Sequence, residues 1–225
     1  MPHTATFTPS KEYEILLTGD HTVVHGCFES IPVVMPVDVF FFDTPSVDSK
    51  WSSAEYLEWT RRIFSYLEMH RQHNCTLVLV STDRKGASWS KSALTVSVAF
   101  EFGWALHREL VWQHGHSDFH RAHLPFRICY VLKKGNRQSR PFYKDVIRVA
   151  KDSASEGHLS ALPVAFVQFL LKHYVAKTDI VMDPFAGSGS VMRACRSLNI
   201  QSISVEADGE LANEIKKKVT ECLLY

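Results

Sequence analysis

Residues 179–195 read DIVMDPFAGSGSVMRAC: an apolar run, an acid at Asp183, a glycine turn and a helical pattern. In a doubly wound α/β sheet such a turn brings backbone N–H groups to a ligand beyond the strand end. The third position of a dinucleotide fingerprint is Met192 rather than glycine, and no Gly-Lys-Ser/Thr follows, so a pyrophosphate is not the favoured ligand. Seventeen residues past Gly189, Glu206 closes the next apolar run, where a carboxylate accepts ribose hydroxyls. Asp183 suits an ammonium group. A ribose, a cationic amino acid and no phosphate describe S-adenosyl-L-methionine.

The turn stands near the end of a 225-residue chain, with room after it for one strand and one helix, so most of the sheet precedes it. Working backwards, "ALPVAFVQFLLKHYV" (161–175) is an amphipathic helix with Pro163 in its first turn. "LHRELVWQ" (106–113) and "FRICYVLKK" (126–134) alternate like paired edge strands. "SALTVSVAFEFGW" (92–104) reads as a helix, "CTLVLVST" (75–82) as a strand, and "SAEYLEWTRRIFSYLEMHRQ" (53–72) as a helix capped by Ser53. "YEILLTGD" (13–20) and "VDVFFFDT" (37–44) are expected to be buried strands, each ending at an acid. After the glycine turn, "SISVE" (202–206) is a strand and "GELANEIKKKVTECLL" (209–224) a helix. Strands alternating with helices predict a mainly parallel, doubly wound sheet in one domain spanning 1–225.

Composition narrows the classes. With 45% hydrophobic residues the chain buries one sizeable core, and a formal charge of +1 leaves no global basic field. Five scattered cysteines without a CxxC pair predict reduced thiols, hence an intracellular protein of undetermined compartment. No 18 apolar residues run together, which predicts a soluble protein with no membrane partner. His114, His116, His120 and His123 crowd into ten residues, but no cysteine or regular frame accompanies them, and no metal site is expected.

The order of these parts resembles the β-class of DNA N6-adenine and N4-cytosine amino methyltransferases, whose fold is circularly permuted. In that family a D/S/N-P-P-Y/F/W catalytic segment precedes a D-P-F-x-G-S-G cofactor loop. Here "LLTGDHTVVHGCFESIPVVMPVDVFFFDTPS" (16–46) resembles the opening and "EGHLSALPVAFVQFLLKHYVAKTDIVMDPFAGSGS" (156–190) the closing stretch. The resemblance covers almost the whole chain. It implies the S-adenosylmethionine methyltransferase fold, cofactor contacts from Asp20, His158, Asp183, Phe185, Gly187, Ser188, Gly189 and Glu206, and a strand ending at Asp20 beside the one ending at Glu206. It also implies a catalytic segment Asp43-Thr44-Pro45-Ser46, in which Asp43 and the Thr44 carbonyl accept the hydrogens of an exocyclic base amine. The stacking aromatic of the family is Ser46 in this chain, leaving Trp51 or Phe42 to stack on the base.

Between Lys133 and His158, where family members carry a recognition insert, stands a short basic arm. Its Lys133, Lys134, Arg137, Arg140 and Lys144, with Phe142 and Tyr143, suit phosphates and bases of DNA or RNA. Two functions follow: a base-amine methyltransferase acting on nucleic acid, or a methyltransferase-like subunit that no longer catalyses and serves a nucleic-acid-binding complex. In either, a partner protein subunit is a plausible source of specificity.

Overall fold

The computed structural model describes residues 13–17, 19–32, 36–44, 51–81, 89–114, 126–139, 144–150 and 161–221. Among the described residues nine strands form a single sheet: β1 (Glu14–Leu17), β2 (His21–His25), β3 (Val37–Asp43), β4 (Arg71–Ser81), β5 (Ala105–Gln113), β6 (Phe126–Lys134), β7 (Val146–Arg148), β8 (Ile180–Asp183) and β9 (Gln201–Glu206). Their order is β1-β2-β9-β8-β3-β4-β6-β5-β7. The pairs β2/β9, β9/β8, β8/β3, β3/β4 and β5/β7 are parallel, and β1/β2, β4/β6 and β6/β5 antiparallel. The C-terminal ends of β2, β9, β8, β3 and β4 therefore share one edge of the sheet.

Five α-helices among the described residues cover it: α1 (Ser53–His70), α2 (Lys91–Glu101), α3 (Val164–Tyr174), α4 (Ser190–Ser197) and α5 (Gly209–Glu221). The alternation of β3 and β4 splits their side chains between two cores, as period-two strands covered on both faces must. Val39, Phe41, Val78 and Val80 pack with Phe166, Leu170 and Ala194 of α3 and α4. Phe40, Phe42, Leu77 and Leu79 pack with Ile63, Phe64 and Leu67 of α1 and Val98 of α2. A smaller cluster of Val23, Ala186, Met192, Ile215 and Val219 seats α5. Among the described residues no helix is long and apolar enough to cross a membrane, and Cys27, Cys75, Cys129 and Cys195 are free thiols.

Several boundaries differ from the sequence reading. Helix α1 is capped by Ser52, one residue before the expected Ser53, because Glu55 completes a capping box: its N–H donates to Ser52 Oγ at 3.2 Å and its carboxylate accepts from Ser52 N at 2.8 Å. Pro163 is the N-cap of α3 rather than part of its first turn. Strand β1 is not buried. It is the antiparallel edge strand, with Ile15 exposed, and β2 takes the place beside β9. The stretch expected to be a continuous basic arm from Lys133 begins inside β6 and contains β7.

Candidate active site

At the shared strand edge, β8 ends on Asp183 and the chain turns through Gly187 (φ 51°) and Gly189 (φ 78°) into α4. Both torsions lie in the left-handed region, where a Cβ is strained. At Gly189 a Cβ would also stand 3.1 Å from Ile215 Cγ1, so glycine is required twice over. The turn is tied to β9: Ala186 N donates to Val205 O at 2.9 Å and Gly187 N to Glu206 Oε2 at 2.6 Å. Glu206 Oε1 accepts from Asp208 N at 2.9 Å, and Gly26 N, just past β2, donates to Glu206 O at 2.9 Å. Each carboxylate oxygen retains a second lone pair for a ligand hydroxyl.

Asp183 is 4% exposed and accepts a hydrogen bond from Phe185 N at 3.0 Å. Burial pushes its carboxyl up to about 8, and the negative charges of Glu206 and Asp43 push the same way. A buried carboxylate facing two further acids is an electrostatic demand for a cation. The ammonium and sulfonium of S-adenosyl-L-methionine would meet that demand, and Glu206, one strand over, has acceptor capacity that would suit ribose hydroxyls. The residues present thus fit the cofactor that the turn predicts.

The other half of the site is the end of β3. Asp43 and Asp183 belong to neighbouring parallel strands, and Thr44 N donates to Val80 O at 3.2 Å, holding the start of the segment expected to be catalytic against β4. Arg127 Nη1 donates to Asp43 Oδ2 at 2.7 Å across β4. Lys91 Nζ, at the first residue of α2, donates to the Thr44 carbonyl at 3.1 Å. Burial raises the Asp43 carboxyl above its ordinary value, with the Arg127 and Lys91 cations opposing. Phe42, expected as one possible stacking ring, is 2% exposed and lies edge-on to Phe185 at 5.4 Å, so it is a core residue. Half-buried Trp51 stands edge-on to Trp59 at 6.1 Å, and Trp59 lies 5.7 Å from Phe185. Pro45 and Ser46 lie outside the described residues, as do His158, Arg140, Phe142 and Tyr143.

Asp20 is not beside Glu206. Its carbonyl accepts from Ser202 N at 2.9 Å at the start of β9, which puts it at the opposite edge of the sheet. The residues that the strand order brings to Glu206 are His25, Gly26 and Cys27: His25 pairs with Glu206, and its ring lies 3.2 Å from where a Cβ on Gly209 would be.

Three of the expected nucleic-acid contacts are likewise at the far edge, because β6 runs antiparallel to β4 and its C-terminal end leaves the site. Lys133 Nζ donates to Arg137 O at 2.9 Å; Lys134 Nζ donates to Glu68 Oε2 and Phe102 O, both at 2.6 Å. Arg137 pairs with Asp179 and lies 3.6 Å from Asp38. These cations hold the fold together. Lys144 is exposed just before β7, and Arg148 ends that strand beside Gln113, nearer the site edge. Among the described residues no group of three His, Cys, Asp or Glu is arranged to hold a metal, and His116, His120 and His123 lie outside them. Sequence reasoning missed Lys91, Arg127 and the His25-Gly26-Cys27 turn; only the last carried a local signal, the apolar "TVV" run ending in glycine.

No curated protein matches the sequence. Among solved structures, the M1.HpyAVI–SAM complex superposes with a TM-score of 0.64 at 21% identity, over 83% of this chain and 90% of that one. The cytosine-N4-specific PvuII DNA methyltransferase reaches 0.74 at 13% identity, over 88% and 86%. The Thermus thermophilus protein TTHA0409, complexed with S-adenosyl-L-methionine, gives 0.65 at 14% identity, over 89% and 92%. These likenesses are of fold. The sequence itself matches the DNA methylase family model over residues 25–217, which begins at the β2 turn and leaves β1 outside. The chain belongs to the DNA methylase family, enzymes that methylate base amines with S-adenosyl-L-methionine.

Proposed function

We propose that this protein is an S-adenosyl-L-methionine-dependent methyltransferase acting on an exocyclic amino nitrogen of a DNA base, built as a circular permutant of the β-class. The observation that carries the assignment is the meeting of Asp183 and Asp43 on adjacent strands, 140 residues apart in the chain. The permutation is supported by β8, which is central in the sheet although it follows the catalytic strand β3 in sequence.

The cofactor supplies a methyl group bound to a sulfonium. Asp183 holds its ammonium, and Glu206 accepts the ribose hydroxyls while its own N–H contacts keep the carboxylate in place. The lone pair of a base amine is delocalised into the ring and nucleophilically weak. Asp43 and the Thr44 carbonyl accept the amine hydrogens and so localise that lone pair toward the methyl group. A base reaches such a site only out of its stack. With serine at position 46, Trp51 is the half-buried ring nearest in sequence to the catalytic segment, and we assign base stacking to it. DNA phosphates meet Arg148 and the residues that flank it, and a second protein subunit adds the sequence specificity that the short 133–158 segment does not supply.

Transfer of tritiated methyl groups from S-adenosyl-L-methionine to unmethylated plasmid DNA, followed by nucleoside analysis, tests this reading. N6-methyladenine or N4-methylcytosine is the expected product. Label confined to C5 of cytosine, or absent from DNA, refutes it.

A further inference from the structure

Asp43 is held by a chain of contacts that the transfer chemistry alone does not require. Arg127, 8% exposed, sits opposite Trp112 in the β5/β6 register, and its guanidinium lies 5.5 Å from the Trp112 ring centre. Trp112 stacks on Phe166 of α3 at 4.7 Å and donates Nε1–H to Val149 O at 2.9 Å. The guanidinium is thus oriented by a packed indole before it meets Asp43 Oδ2 at 2.7 Å. A guanidinium N–H on one carboxylate oxygen restrains the rotation of that carboxylate, and an ionised carboxylate has about four acceptor positions, so capacity remains for an amine.

We propose that Arg127 is a positioning residue for methyl transfer: its guanidinium holds the Asp43 carboxylate in the plane and the charge state that receive the target amine's hydrogens. This rests on the reading of Asp43 as the amine acceptor. The charged groups facing Asp43 are Arg127 from β6, Lys91 from α2 and Asp183 from β8. Arg127 and Lys91 favour its ionised form, opposing burial and the neighbouring acid, which disfavour it. Removing Arg127 therefore shifts the protonation of Asp43 to higher pH as well as freeing its plane. The requirement is specific to a carboxylate. An asparagine at position 43, which the family pattern allows, needs no counter-charge.

The test is tritiated methyl transfer to unmethylated plasmid DNA, native and heat-denatured, across pH 6–9, with S-adenosyl-L-methionine affinity measured in parallel. Arg127→Gln is expected to lower kcat by about 10- to 100-fold, to move the acid limb of the pH profile upward, and to leave cofactor affinity within twofold. Asp43→Asn combined with Arg127→Gln is expected to be more active than Arg127→Gln alone and to lack that limb. If Arg127→Gln does not fold, the same comparison is made with Arg127→Lys, expected to retain the limb near its original pH at reduced kcat. Activity of Arg127→Gln within twofold of wild type at every pH overturns the proposal while leaving Asp43 in its role. So does an equal loss from Arg127→Gln whether position 43 carries the native aspartate or the Asp43→Asn substitution. Full transfer by Asp43→Ala, or no transfer by the wild-type chain to either form of DNA, overturns the acceptor reading and this inference with it.

Discussion

Replacing Asp183 with asparagine should stabilise the cofactor-free protein while destroying its capacity to bind the cofactor. The carboxyl is 4% exposed and its pKa is raised from 3.8 to about 8. A carboxylic acid that binds its proton more tightly folded than unfolded makes the folded state lose stability as pH rises from 4 to 8. At about 1.4 kcal/mol per pH unit, the interval from pH 6 to pH 8 is worth at most about 2.7 kcal/mol. Local relaxation around the buried charge lowers that to about 1–2 kcal/mol. Asparagine keeps the acceptor for Phe185 N and carries no charge, so its lead over wild type must grow across this window and level off above it. Thermal unfolding by circular dichroism at pH 6 and pH 9 reads this out. At about 2–4 °C per kcal/mol for a domain of this size, the lead in Tm should widen by about 2–8 °C. A lead that is constant or shrinks with pH refutes the account of Asp183 as a buried, uncompensated acid. The same ionisation governs binding: below pH 8 the pairing of Asp183 with an ammonium releases a proton, and calorimetry of the wild type in buffers of different ionisation enthalpy should detect it.

Three further substitutions probe the rest of the site. Gly189→Ala forces a Cβ into a left-handed torsion 3.1 Å from Ile215 Cγ1 and should cost about 1–3 kcal/mol, measured by urea unfolding, with weaker cofactor binding. Glu206→Gln removes a charged acceptor that holds Gly187 N and Asp208 N and should weaken S-adenosyl-L-methionine binding by about 10- to 100-fold in titration calorimetry. Trp51→Ala should raise the KM for DNA by an amount corresponding to about 1–3 kcal/mol and leave cofactor affinity unchanged; an unchanged KM removes Trp51 from the stacking role.

What could be read from the chain was what depends on consecutive residues. Asp183, the two glycines and Glu206 belong to one strand-turn-helix-strand unit, and Asp43 ends an unbroken apolar run, so their placement at strand ends follows from local pattern. Long-range pairing was not legible. Both "EILLTGD" and "TVVHGC" are apolar runs ending in glycine, and nothing local says that the second one pairs with β9 and the first becomes an exposed edge. Charge composition carries no strand direction either. Lys133, Lys134 and Arg137 form a basic cluster in sequence, yet the antiparallel course of β6 carries them to the far edge of the sheet, where Glu68 holds Lys134, Asp38 and Asp179 hold Arg137, and Lys133 donates to Arg137 O and Ser139 Oγ. Arg127 escaped notice for the same reason, since the strand that bears it meets Asp43 across 84 positions of sequence.

The central claim is that Asp43, beside the cofactor acid Asp183, activates a base amine. It is tested most directly by comparing wild type and Asp43→Ala in tritiated methyl transfer to unmethylated plasmid DNA, with S-adenosyl-L-methionine affinity measured on the same preparations. The account predicts transfer by the wild type, loss of transfer in Asp43→Ala, and cofactor affinity that differs little between them. Undiminished transfer by Asp43→Ala, with the cofactor bound, would contradict it.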